Sequence, residues 1–121
     1  MNKMSEAILL TELTKLKLVA ETVAEYYKIT VEDMRKEDSK NTTNKGSRKH
    51  MYVEPRQISM YLIKDYLKSP ISLVSIGVFF GGRDHSTVIN AIQVTQDRID
   101  VNRDFRDKIE YIKADIFDVL N

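Results

Sequence analysis

The sequence predicts an all-α domain of about five to six helices, organised around a helix-turn-helix and preceded by a long N-terminal amphipathic helix. Three observations predict it. Apolar residues recur at spacings of three and four through most of the chain. No segment sustains the apolar and polar alternation of a half-buried strand. Short polar residues stand just ahead of several apolar runs, where their side chains would cap helix starts. With 121 residues, 42% of them hydrophobic, the chain is long enough for one core and not for two, so residues 1–121 read as a single domain.

In chain order, Leu9, Leu13, Leu16, Ala20, Val23 and Tyr27 fall on one helical stripe and predict a first helix from Ser5 to about Tyr27, within the 1–28 segment. Thr30, ahead of Glu32 and Asp33, caps a short helix through Met34 or slightly beyond. Residues 38–50 read as a flexible basic loop. Asp38 to Ser47 is rich in Asn, Thr, Ser, Lys and Gly and has almost nothing to bury, and Arg48, Lys49 and His50 follow it.

Helical spacing resumes with Ile58, Leu62, Ile63, Tyr66 and Leu67, which predicts a helix from about Val53 to Leu67 with Pro55 in its first turn. Ser69-Pro70 ends it, and Ser72 caps a short helix through Phe79 that turns Leu73, Ile76 and Phe79 or Phe80 inward. A turn over Phe80 to Arg83 leads into a helix from Asp84 to about Asp100, with Val88, Ile92, Thr95 and Ile99 on its inner stripe. Two helices joined by so short a link form a helix-turn-helix. After Asn102, the stripe of Phe105, Ile109, Ile112, Ile116 and Val119 to Leu120 marks a last amphipathic helix.

Composition removes several function classes. There is no cysteine, so disulfides and thiolate metal sites are excluded, and a reducing compartment suits the chain. The two histidines, His50 and His85, lie far apart, so neither a metal nor another cofactor is expected. No apolar stretch approaches the ~20 residues of a membrane helix, and the N-terminus lacks a basic-then-apolar leader pattern. The expectation is a cytoplasmic, nucleoid-associated protein without a membrane partner. The net charge of +1 conceals an uneven distribution: residues 1–39 carry −2, residues 40–83 carry +6, and residues 84–121 carry −3. A local basic block of this kind is the electrostatic footprint of a phosphate-binding face.

That block ends in Gly81-Gly82-Arg83-Asp84-His85-Ser86-Thr87-Val88. Two glycines permit a tight turn, Asp84 caps the helix through the Thr87 amide, and the next three residues are polar groups on an exposed first turn. First-turn residues of a recognition helix are the ones that reach base edges.

Pro55-Arg56-Gln57-Ile58-Ser59-Met60-Tyr61-Leu62, then Ser72-Leu73-Val74-Ser75-Ile76-Gly77, then Phe80 to Val88, resemble the C-terminal DNA-binding domain of the bacterial chromosomal replication initiator DnaA. The family pattern F-G-G-R-D-H-S/T-T-V is kept at every position, and weaker similarity extends back through Val19 to Met34. The resemblance implies a Trp-repressor-like helical fold that binds double-stranded DNA at a short element, the DnaA box, in replication initiation or its regulation. It implies that a loop arginine, matched by Arg48, enters the minor groove, with Lys45 and Lys49 as phosphate contacts. Asp84, His85 and Ser86 match the residues that face bases in the major groove, and Arg83 and Thr87 are expected on phosphates. Arg56, Ser72, Leu73 and Val74 match further DNA-facing positions. Counting Arg48 on phosphate as well, the five contacts from Lys45, Arg48, Lys49, Arg83 and Thr87 give an expected slope of log affinity on log salt of about −4 to −5.

Two departures stand out. Ser86 replaces a common Thr and so lacks a methyl that could touch a thymine methyl, and Val74 replaces the family's usual Pro. The family's nucleotide-binding module is absent, since no G-x-x-x-x-G-K-S/T occurs. The start at Met1, with an intact amphipathic helix behind it, leads to the expectation of a small stand-alone protein. No enzyme is expected: Asp84, His85 and Ser86 are consecutive on a helix and cannot form a catalytic triad with one another. The alternative reading is an interaction or dimerisation protein. In it the Leu9 to Tyr27 stripe binds a second copy or an initiator-type partner, and DNA binding is secondary, in transcriptional or mobile-element regulation.

Overall fold

The computed structural model describes residues 5–36 and 45–121, with residues 45–50 described by their backbone alone. The described residues form six helices and no strand: α1 (Glu6–Tyr27), α2 (Val31–Arg35), α3 (Lys45–Tyr61), α4 (Leu73–Phe79), α5 (His85–Val101) and α6 (Arg103–Leu120). The all-α expectation holds.

Capping chemistry fixes most of the boundaries. Ser5, Thr30, Ser72, Asp84 and Asn102 each accept a hydrogen bond from a backbone N–H three residues on. Thr30 and Asp33 close a reciprocal capping box. A cap substitution of this kind typically costs about 1 kcal/mol.

The start of α3 differs from expectation. α3 is already helical at Lys45, well ahead of Val53, so residues 45–50 are helical rather than loop, and Pro55 lies in the helix interior. Residues 38–44 of the expected loop lie outside the described residues. An interior proline removes one ladder hydrogen bond and usually costs ~3 kcal/mol or more, so tertiary contacts must hold the turn that precedes it. Glu54 provides them. Its carboxylate accepts from the Tyr27 hydroxyl on α1, the Arg98 guanidinium on α5 and Lys108 Nζ (3.0 Å) on α6. Burial alone would raise the Glu54 pKa, but these three donors outweigh it and hold the carboxyl below its usual range. Lys108 and Arg98 also lie over the Phe105 ring, at 5.7 and 4.2 Å from its centroid.

From Ile58 to Ile63, across the end of α3, every residue is buried, the pattern of a helix enclosed on all sides. The helix then widens into a π-turn over Leu62–Tyr66, where Leu67 N–H donates to the Leu62 carbonyl at 2.9 Å. Around α3 pack α1, α2 and α5, and α6 lies against α1 and α5. The α1 stripe is consumed in this core: Leu16, Val19, Ala20, Val23 and Ala24 are buried, and Leu13 and Tyr27 pack at its edge. Glu12 is buried on the same helix, where Ser69 Oγ donates to it at 2.7 Å and Lys15 pairs with it at 3.2 Å. The α6 stripe of Phe105, Ile109, Ile112 and Ile116 is buried as expected, whereas Val119 is exposed.

Candidate nucleic-acid interface

The turn between α4 and α5 is built from three glycines. Gly81 and Gly82 have φ of 92° and 83°, which L side chains resist. The third, Gly77, lies within α4 and allows a close approach. Its carbonyl accepts from Gly82 N–H at 3.0 Å and Arg83 N–H at 2.9 Å, so the turn folds back onto the helix that precedes it. A Cβ on Gly77 would lie 1.9 Å from the Arg83 carbonyl oxygen. Phe80, fully buried beside Phe79, anchors the turn from below.

Two arginines tie this turn to the end of α2. Arg83 Nη1 donates to the carbonyls of Phe80 (2.8 Å) and Arg35 (3.4 Å), and its Nη2 donates to that of Lys36 (2.8 Å). Arg35 Nε in turn donates to the Phe79 carbonyl at 2.7 Å. Both guanidiniums therefore engage carbonyls at the C-terminal ends of α2 and α4, which helices leave without internal donors. Gly81 belongs to the same arrangement, since a Cβ there would lie 2.0 Å from the Arg35 carbonyl oxygen.

At the start of α5, Asp84 Oδ1 accepts from both the backbone N–H (2.9 Å) and the hydroxyl (3.1 Å) of Thr87. Those two bonds hold the Asp84 carboxyl below its usual pKa, so it is ionised at neutral pH. His85 and Ser86 are exposed, and no side-chain hydrogen bond of theirs is present among the described residues. Behind them Val88, Ala91 and Thr95 are buried, which aims the polar first turn outward.

The other expected site residues divide. On α4, Ser72 accepts from Ser75 N–H at 3.0 Å and pairs with its hydroxyl at the same distance. Leu73 is half-buried, and Val74 stands 60% exposed. Arg56 is only 5% exposed, and its Nη1 donates to the Met34 carbonyl at 3.0 Å, so it braces α3 against α2 from inside. Lys45, Arg48 and Lys49 stand in the first two turns of α3, three and four positions apart, and their side chains lie outside the described residues. The structure thus brings Ser72 to Val74 and Arg83 to Thr87 onto adjoining elements. Sequence reasoning missed the structural parts of Gly77 and Arg35. Gly77 alone carried a signal, as a glycine inside a short helix.

No group of metal-binding side chains occurs among the described residues, and none of the described helices is long and apolar enough to cross a membrane.

A family model described as the bacterial dnaA protein helix-turn-helix matches residues 16–94, from within α1 to the middle of α5. The chain is 37% identical over 106 residues to the chromosomal replication initiator protein DnaA of Chlorobaculum tepidum, covering 88% of this chain and 19% of that protein. It is 35% identical over 101 residues to the same-named protein of Bdellovibrio bacteriovorus, covering 84% and 19%. It is also 47% identical over 73 residues to that of Aromatoleum aromaticum, covering 60% and 13%. The chain spans about a fifth or less of the length of these curated relatives.

Proposed function

The chain belongs to the bacterial DnaA helix-turn-helix family, and from that premise we propose that it binds double-stranded DNA sequence-specifically at a DnaA-box-like element, in replication initiation or its regulation. The observation that carries this reading is the pair His85 and Ser86. They are exposed and without side-chain hydrogen bonds, on the first turn of a helix whose start is held by Asp84, Gly77 and Arg83. With the helix start already held, only the side-chain rotamers of His85 and Ser86 remain to be ordered on meeting base edges. The first turn of a recognition helix is where such contacts form in the major groove.

In this reading His85 and Ser86 read base edges, and Asp84 orients the turn and accepts from a cytosine amino group. Val74, exposed on α4, meets the groove wall with Leu73 behind it. Thr87 and Ser72 serve phosphates, and the Thr87 hydroxyl leaves Asp84 to do so. Lys45 and Lys49 add phosphate contacts, and Arg48 enters the minor groove. Arg56 and Arg83 act from within, as positioning residues, because their guanidiniums are engaged by backbone carbonyls. With three cations left on the DNA, Lys45, Arg48 and Lys49, the expected salt slope falls to about −3. The protein acts as a binding module rather than an enzyme, in the cytoplasm at the nucleoid. Because the α1 stripe from Leu13 to Tyr27 packs into the core, it is read as a packing surface and not as a self-association seam.

His85→Ala tests the reading. Discrimination between a DnaA-box duplex and a scrambled duplex is expected to fall by ~1–3 kcal/mol, with the far-UV circular dichroism unchanged. An unchanged ratio would remove His85 from base reading.

A further inference from the structure

Three large apolar side chains stand exposed on α5: Ile89 (51%), Val94 (41%) and Val101 (84%). Single exposed hydrophobics are ordinary on protein surfaces, so exposure alone says nothing. Position separates them. At about 100° per residue, Ile89 lies about 40° around the helix from His85 and about 60° from Ser86, whereas Val94 projects from the side of α5 nearest Thr87 and Val101 closes its last turn. Ile89 is also about 6 Å along the axis from His85, the rise of nearly two base pairs. It therefore extends the His85 and Ser86 strip one turn deeper into α5, as an aliphatic surface with no polar group of its own.

The edge that such a surface recognises in a major groove is the 5-methyl group of thymine, the one apolar feature that the four bases display there. The same strip lacks an apolar group at Ser86, where the related pattern commonly has threonine. Resting on the DNA-binding reading above, we infer that Ile89 is a specificity-determining residue that packs on a thymine methyl, one to two base pairs from the step read by His85 and Ser86. Isoleucine supplies there the methyl contact that serine cannot make. Arginine or lysine at this place would take guanine, and asparagine or glutamine adenine. Isoleucine excludes both modes and selects for the methyl.

The inference is tested with a DnaA-box duplex in which each thymine is replaced in turn by uracil, which removes the methyl and leaves base pairing intact. Binding of the wild-type chain is expected to weaken by about fourfold at one thymine, the worth of one buried methyl group, and to change little at the others. Ile89→Ala is expected to bind the all-thymine duplex more weakly by a similar factor and to lose its response to uracil at that position. Ile89→Val, which retains two methyl groups, keeps part of the response and serves as the folding-neutral variant if alanine perturbs α5. A flat uracil profile in the wild type, or the same profile in wild type and Ile89→Ala, overturns the inference while the box preference stands. Equal wild-type binding to box and scrambled duplexes overturns both it and the reading beneath it.

Discussion

Replacing Gly77 by alanine puts a methyl group where the chain folds back on itself. The added Cβ would lie 1.9 Å from the Arg83 carbonyl oxygen and 3.0 Å from its carbon, and ordinary contact begins near 3.4 Å, so the turn must retreat by about 1.5 Å. That movement breaks the bonds from Gly82 N–H and Arg83 N–H to the Gly77 carbonyl, now 3.0 and 2.9 Å. Two hydrogen bonds contribute about 2 kcal/mol together, and forced overpacking adds about 2 kcal/mol. Alanine's better helix propensity returns about 1 kcal/mol. The net expectation is a loss of about 3 kcal/mol, or about 10 °C in midpoint for a domain of this size, read by urea and thermal unfolding followed by circular dichroism. Gly82→Ala is the control. A Cβ there meets nothing within 4 Å, and only its φ of 83° is strained, a cost of about 1–2 kcal/mol. The displaced turn also carries Asp84 and His85 with it, so Gly77→Ala should bind the box duplex at least about tenfold more weakly at a temperature where it is folded. A Gly77→Ala protein within about 0.5 kcal/mol of wild type, or more stable than Gly82→Ala, would refute the close-approach argument.

Arg83→Ala removes the donors to Phe80, Arg35 and Lys36. Stability should fall by about 1–3 kcal/mol and box affinity with it, while the salt slope stays as in the wild type; a slope shallower by about 1 would instead put Arg83 on a phosphate. Acid sensitivity follows from Glu54 and Glu12. The Ser69 hydroxyl bond, countered in part by burial, holds Glu12 below its usual value, and the three donors described above do so for Glu54. A carboxyl depressed in the folded state contributes its full stabilisation above the unfolded value of about 4.3 and loses it as pH falls through the folded value. Unfolding midpoints should therefore drop below about pH 4.5. Glu54→Gln should be about 1–2 kcal/mol less stable at pH 7, a figure reduced for the partial exposure of Arg98, and should show a flatter acid limb. An equally steep limb in that variant would remove Glu54 as a source of the effect.

The helices with local start signals were legible from the sequence. Ser5, Thr30, Ser72, Asp84 and Asn102 each carry a short oxygen-bearing side chain ahead of an apolar stripe, and the observed starts follow each of them directly. The beginning of α3 was not legible because Pro55, read locally, belongs in a first turn. Glu54 and its partners on three other helices keep the helix going upstream of it, and those partners lie 27, 44 and 54 residues away in sequence. Charge misled in a comparable way at the site. By sequence Arg56 and Arg83 belong to the basic block, yet helix-end carbonyls and a buried backbone oxygen hold them. A tally of cations cannot distinguish a solvated guanidinium from one that closes a turn. The outward aim of His85 and Ser86 was legible because one cap and one apolar stripe set the phase of α5.

The most direct test of DNA reading is equilibrium binding of the unmodified chain to a DnaA-box duplex, a scrambled duplex of the same length and the single strands, over a salt series. The account predicts tightest binding to the box duplex at every salt concentration, with a slope of log affinity on log salt of about −3. Equal binding to all three nucleic acids, or a slope near zero, would contradict it.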